Sequence, residues 1–473
     1  MRETLSRVRK ELKQPYFCAL LLIALIPIFP EYISFFLVIA AAAFAGKELK
    51  ATQRKIRIGI IGKLLIAYCS YQTLSCFYST HWFTTLAVSL MWWVFLLAYL
   101  VVVNMLTDTH RTNRFLMCIT AVAGVVGFIA CLQYRLNFFL DRNVGNVWAW
   151  LDNIVFQWIP FDLIQLNYYL RAYSTFPNPN MLAQYLVMAA PFVACFNFME
   201  QRSNRVRLFS RICLFLTFAG VMFSFSRGAY IAIIILAVAL IVLNIRRRFA
   251  AVSLYVVSTL LFLPAEVVNR LFTIKKGISN SNTIADSIIS STVKPNEGVP
   301  VPPPSMTTSE IINSSGAESA VGERWEIWME SISRFFERPI LGYGAGTQTT
   351  LSIFHEIGIK APHAHNIVLQ LLLEGGMIAI ILMGLIGFFT VRNGIVMMKH
   401  HDNCSFWVGF SVLAFVVCFM AHGMVDYPLM VPRLVCFFIV VLGIVDQSIY
   451  LYTPQGHNNN RQLHKKLKRN QCI

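Results

Sequence analysis

Long apolar runs alternate with short polar breaks along most of the chain. Their lengths fall near the roughly 20 residues that cross roughly 30 Å of hydrocarbon as a helix. The pattern predicts about twelve helices, near residues 16–29, 31–46, 58–77, 83–104, 115–133, 181–199, 211–225, 229–245, 250–265, 366–391, 405–425 and 432–450. The start resembles a signal peptide, with basic Met1–Pro15 before apolar Phe17–Phe29. No small-residue cleavage site follows, and Pro30-Glu31 leads straight into Tyr32–Ala45, so a retained helical hairpin of two short members is expected.

Two polar stretches interrupt the alternation, Gln133–Asn180 and Glu266–Ala364. Within the second, Gly277–Gly322 is rich in Ser, Thr, Asn and Pro, including Pro300-Val301-Pro302-Pro303-Pro304, and reads as a mobile insert. Glu323–Glu337 then sets Trp325, Trp328, Ile332 and Phe335 at helical spacing, which predicts an amphipathic interfacial helix ended by Arg338-Pro339. The run Gly342-Tyr343-Gly344-Ala345-Gly346 lacks a Walker ending; it predicts a tight turn with backbone amides turned toward a phosphate. The resulting organisation is a membrane region 1–265, a large loop 266–364, C-terminal membrane helices 365–452 and a basic tail 453–473.

Composition agrees with this pattern. Of 473 residues, 56% are hydrophobic and only 13% charged, about half the charge of a soluble protein. The fold class is therefore all-α and polytopic. The net charge of +17 is concentrated in alternate loops: Arg7, Arg9, Lys10 and Lys13; Lys50, Arg54, Lys55 and Arg57; Arg202, Arg205, Arg207 and Arg211; Arg246-Arg247-Arg248; and Lys465, Lys466, Lys468 and Arg469. The positive-inside rule puts these loops and both termini in the cytoplasm and the two polar stretches outside. Basic runs beside membrane helices sit against anionic lipid, so membrane lipid rather than nucleic acid is the expected partner. The eleven cysteines lie in or beside helices or in the tail, which suggests neither a disulfide framework nor a metal site.

A few ionisable residues stand where the hydrocarbon would not welcome them. His365 sits between the large polar loop and a long apolar helix, in Ala364-His365-Asn366-Ile367. Taken alone it is either a polar helix cap or a functional group. Arg171 opens Arg171-Ala172-Tyr173-Ser174-Thr175-Phe176-Pro177-Asn178-Pro179-Asn180, where Asn178 and Asn180 suit a helix N-cap. Arg227 lies in Ser224-Phe225-Ser226-Arg227-Gly228, a hairpin too tight to be solvated, and Arg324 flanks the tryptophan helix. One such arginine could simply snorkel. Three on one side of the membrane suit a pyrophosphate, because guanidinium groups bind phosphate oxygens in pairs. His363 competes with His365. His422 and Asp426, four apart, share a helix face and serve either the site or the helix end. Glu374 falls on a different face from His365 and reads as packing or a polar intramembrane contact.

Taken in order, Arg171-x-x-Ser174-Thr175-Phe176-x-Asn178-Pro179-Asn180, Ser226-Arg227-Gly228, Glu323-Arg324-Trp325, Arg338-Pro339-x-x-Gly342-x-Gly344 and His365-Asn366 resemble the bacterial O-antigen ligase and O-antigen polymerase superfamily. The resemblance covers about Arg171 to Tyr427, and the N-terminal half agrees in apolar character. The ligases share His-Asn/Ser/Gln, nine residues, then Gly-x-x-Gly/Thr/Tyr. Here Gly376 follows His365-Asn366 at that spacing and Ala379 stands in the last place, which leaves ligase and polymerase both open. The resemblance implies a GT-C-like membrane glycosyltransferase, metal-independent and without cofactor, at the outer face of the bacterial cytoplasmic membrane. It implies a glycan donor on undecaprenyl pyrophosphate and a sugar hydroxyl on a glycan or glycolipid as acceptor. His365 would be the general base; Arg171, Arg227 and Arg324 would hold the donor pyrophosphate; Asn366, His422 and Asp426 would support them. A flippase or other transporter is the competing class, but it predicts internal repeats and binding groups near the midplane. The sequence shows no repeat, and the candidate groups gather on one side.

Overall fold

The computed structural model describes residues 14–136, 171–199, 203–244, 308–400 and 403–452. The expected helix 250–265, most of the insert 277–322 and the tail 453–473 lie outside the described residues. Among the described residues the fold is helical throughout, without strands. The helices are α1 (Pro15–Leu25), α2 (Glu31–Ala51), α3 (Ile60–Leu74), α4 (Trp82–Met105), α5 (Thr109–Leu136), α6 (Pro179–Phe198) and α7 (Asn204–Phe223). They continue with α8 (Arg227–Asn244), α9 (Thr308–Glu337), α10 (Thr347–Glu356), α11 (Ile367–Met398), α12 (Asn403–Gly423) and α13 (Pro432–Tyr452).

Nine helical stretches among the described residues are long and apolar enough to span a membrane, and α1 and α8 are shorter apolar helices. These eleven correspond to eleven of the twelve expected helices. The chain is a multi-pass membrane protein. Helices α6 and α13 are buried along nearly their whole length and form the centre of the bundle. Around them α5 packs on α7, α12 on α11 and α6, and α13 on α4. Side chains such as Phe36 on α2 and Ile231, Ile234 and Val242 on α8 are exposed, the apolar surface expected of lipid-facing helices.

The bundle has two chemically different ends. At one, Lys50, Arg54, Lys55, Arg57, Arg111 and Arg205 gather around short turns. There Asp446 accepts hydrogen bonds from the Tyr99 hydroxyl and the Ile61 and Gly62 amides, capping α3 from α13. At the other end stand the turn before α2, the segment leading into α6, the α7–α8 turn and the loops flanking α9 and α11. Arg433, fully buried, ties several of these together: its guanidinium donates to Glu31 and to the carbonyls of Phe29 and Thr175, and lies over the Phe176 ring.

Two expectations about the large loop change. Helix α9 begins at Thr308, so residues 308–322 of the expected mobile insert are helical. Its apolar residues also do not form one stripe. Trp325, Met329, Ile332 and Phe336 are exposed on one face, whereas Trp328 turns toward the protein and donates its indole N–H to the Ala364 carbonyl at 3.0 Å. Ile327 and Ser331 are buried beneath the helix. The spacing alone could not tell which tryptophan faces protein, because both belong to the same broad helical arc.

Helix α11 is broken at Gly376 (φ 57°, ψ −154°). The Pro339–Gly346 loop docks into the break: the Tyr343 and Gly344 amides donate to the Leu373 and Glu374 carbonyls, and the Met377 amide donates to Pro339. A Cβ on Gly376 would lie 2.5 Å from the Ile340 carbonyl oxygen, so glycine is required by both conformation and space. Of the amides expected to face a phosphate, those of Tyr343 and Gly344 are thus taken by α11 and that of Gly342 by the Arg338 carbonyl, and the Gly346 amide points at the Glu374 carboxyl.

Candidate active site

The segment before α6 is built by side chains that replace absent backbone pairing. The Gln133 carbonyl accepts from the Tyr173 and Ser174 amides, the Ser174 hydroxyl donates to Val126, and the Thr175 hydroxyl donates to Pro27. Asn178 caps α6 by accepting from the Asn180 amide at 2.7 Å. Arg171, buried, donates from Nε to the Ser224 carbonyl at 2.8 Å and from Nη2 to the Asn180 side chain. Its guanidinium is therefore fixed between two loops before any substrate arrives.

Ser224 belongs to the turn that carries Arg227. The Ser226 hydroxyl meets His422 Nε2 at 3.2 Å. A Cβ on Gly228 would lie 2.4 Å from Val425 Cγ2, so only glycine lets the start of α8 come this close to the end of α12. Arg227 itself is half-buried at the first position of α8. The Asp426 amide donates to the His422 carbonyl, which continues the helical turn and keeps both side chains on one side.

Asp426 is where the two halves of the site meet. Its Oδ1 lies 3.6 Å from His365 Nδ1 and 3.8 Å from His363 Nε2, and it accepts from the Tyr427 amide at 2.9 Å. At 3.6 Å the His365 contact is an electrostatic approach rather than a formed hydrogen bond, and His365 Nδ1 is buried with no hydrogen-bond partner in the structure. Burial pushes the Asp426 carboxyl up, but contact with His365 and the charges of His363, His365 and His422 outweigh it and hold the carboxyl below the usual range. For His363, burial is the dominant influence. With His365 and Arg324 also disfavouring its cation, and Asp426 favouring it, the imidazole is depressed to about 4. Arg324 is carried by α9, whose Trp328 reaches the Ala364 carbonyl between the two histidines.

The two neighbouring histidines are not equivalent. The His365 amide donates to His363 Nδ1 at 3.2 Å, so in the neutral ring of His363 the proton is on Nε2, facing Asp426. The Nδ1 of His363 is taken by the His365 amide, its Nε2 approaches Asp426 only to 3.8 Å, and its side chain is 10% exposed against 26% for His365. His365 takes a positive φ of 49°. Among the described residues four non-glycine residues do so, and three of them, Ser174, Phe225 and His365, are on the loops of this site. Each such conformation costs about 1–3 kcal/mol and persists only where its surroundings impose it. Asn366 caps α11 by accepting from the Val368 and Leu369 amides, and its side-chain amide donates to the Met424 carbonyl, tying α11 to the end of α12.

The sequence-derived candidates Arg171, Arg227, His365, Asn366, His422 and Asp426 therefore stand on loops and helix ends that meet at one end of the bundle, and Arg324 is carried by α9, which packs on α11 there. Residues 212–384 match the family model described as O-antigen ligase. This match agrees with the resemblance of the chain to the O-antigen ligase and polymerase superfamily. The chain's general function is membrane glycan processing, and no curated protein matches it. The family match spans Arg227, Arg324, His365 and Gly376, while Arg171, His422 and Asp426 lie outside its limits and join the site through the contacts described above.

Sequence reasoning missed Trp328, Gln370 and Tyr427 as neighbours of the site and set Glu374 aside. Glu374 makes the polar intramembrane contact expected of it, with Gln370, Tyr427 and the Gly346 amide as its partners. The readable signal was Gln370 and Glu374, four apart on one face of α11, where the Gln370 side chain donates to Glu374 at 2.8 Å.

Proposed function

We propose that this protein transfers a glycan from undecaprenyl pyrophosphate to a sugar hydroxyl of a glycan or glycolipid, at the outer face of the cytoplasmic membrane, in cell-surface polysaccharide synthesis. The observation that carries this reading is the meeting of the His365–Asp426 pair with the three segments that bear Arg171, Arg227 and Arg324. With Nδ1 turned to Asp426, His365 has Nε2 left to accept the acceptor hydroxyl's proton as the new bond forms at the anomeric carbon. The bond from that carbon to the pyrophosphate oxygen breaks on the opposite face, so configuration inverts. The leaving pyrophosphate takes the electron pair, and Arg171, Arg227 and Arg324 stabilise its charge. Asp426 then stabilises the imidazolium, as a carboxylate does in hydrolase triads.

The His363, His365 and Asp426 ligand atoms lie within 4.8 Å of one another, a spacing that a divalent ion could in principle use. The proton on His363 Nε2 opposes this, since that nitrogen would have to become an imidazolate to bind a metal while Nδ1 accepts from His365. This supports metal-independent chemistry, with arginines in place of a cation.

Polymerase is the second reading, favoured by Ala379 at the last place of the ligase signature. Gene deletion followed by gel analysis of surface glycans distinguishes the two. Polymer retained on its lipid carrier and absent from its final acceptor identifies a ligase. Loss of the length ladder with single repeats left on lipid identifies a polymerase. Loss of outward-facing lipid-linked donor would contradict both and indicate a flippase.

A further inference from the structure

The Ala364 peptide, between the two histidines, is held on both sides. Its N–H donates to Gln370 Oε1 at 2.7 Å, and its carbonyl accepts from Trp328. Gln370 is oriented in turn by donating to Glu374 Oε1 at 2.8 Å. The other oxygen of the same carboxylate accepts from the Tyr427 hydroxyl at 3.1 Å, and Tyr427 is the residue whose amide holds Asp426. Glu374 is buried in α11 and its remaining contact is the Gly346 amide. One carboxylate therefore reaches both sides of the His365–Asp426 pair, through Gln370 to the histidine strand and through Tyr427 to the aspartate.

We propose that Glu374 is a positioning residue that sets the register between His365 and Asp426, acting through Gln370 and Tyr427. This rests on the reading of His365 as general base. A buried ionisable group in lipid-embedded protein needs a compensating role, and these contacts explain why a carboxyl rather than an apolar side chain stands beside the break of α11. The left-handed backbone at His365 needs such restraint, because without the Gln370 clamp the segment is free to relax to an ordinary conformation.

The test uses full-length protein in lipid nanodiscs, with undecaprenyl-pyrophosphate-linked glycan extracted from the producing cells as donor. Glu374→Ala is expected to lower kcat about tenfold or more while KM for the donor stays within about twofold, since small misplacements of reacting groups cost rate rather than binding. Glu374→Gln, which keeps the size and an acceptor for Gln370, should recover most of that rate. Gln370→Ala should lower kcat on its own but add little in the Glu374→Ala background, because the two act as one unit. Wild-type kcat in Glu374→Ala, or losses that multiply in the double variant, would overturn the proposal. If Glu374→Ala does not fold, the same cycle is run with Tyr427→Phe and Gln370→Ala. His365→Ala in parallel separates the two failures. Full transfer without His365 sinks the base reading itself, whereas an inactive His365→Ala beside a fully active Glu374→Ala sinks only the role of Glu374.

Discussion

At the scale of single residues, the site separates two histidines that differ by two positions in the chain. His363 is enclosed and held neutral, whereas His365 is the more exposed of the two and is the proposed general base. The depressed imidazole of His363 has a definite consequence. In the unfolded chain it titrates near 6.5, in the fold near 4. Between those values the unfolded state binds the extra proton, so His363 lowers stability as pH falls through that window. The full difference is on the order of 3 kcal/mol. Histidine NMR on labelled protein should find His363 neutral at pH 5.5, and His363→Gln should flatten the loss of thermal stability between pH 6.5 and pH 4. A His363 signal titrating near 6.5 would contradict this. His365 and the arginines were legible in the sequence because ionisable groups at an apolar boundary stand out by type. Tyr427 and Trp328 were not, because their partners Glu374 and Ala364 lie 53 and 36 positions away and nothing local marks the contact.

At the scale of elements, apolar run length was enough to locate the helices but not to reveal the break in α11. Long apolar stretches continue on both sides of Glu374-Gly375-Gly376, so the overall run length is that of one helix. The break exists because the Pro339–Gly346 loop supplies tertiary hydrogen bonds at that point. Gly376→Ala should therefore be destabilising by on the order of 3 kcal/mol, from a strained φ and a clash with the Ile340 carbonyl. The expected outcome is a lower unfolding temperature in detergent and less protein in membranes. An unchanged melting profile would mean that the loop does not dock as described. The α9 helix shows the same limit of local pattern. Its exposed Trp325, Met329, Ile332 and Phe336 suit the membrane interface, while Trp328 carries information about the site that periodicity does not encode.

At the scale of the whole molecule, charge asymmetry gives orientation. The candidate site lies at the end of the bundle opposite Lys50, Arg54, Lys55 and Arg57, and the positive-inside rule is the ground for the proposal that this basic end faces the cytoplasm. A membrane-impermeant maleimide applied to intact spheroplasts should then label Lys360→Cys and leave Lys55→Cys unlabelled until the membrane is opened. The reverse pattern would put the site in the cytoplasm and exclude transfer onto externally exposed acceptors. The most direct test of the central claim is glycan transfer by the purified His365→Ala protein in nanodiscs, with EDTA present. The account predicts normal donor binding and a transfer rate reduced about 10²–10⁴-fold, with the wild-type protein fully active under the same conditions. Wild-type transfer by His365→Ala, or loss of wild-type transfer to EDTA with recovery on adding a divalent cation, would contradict it.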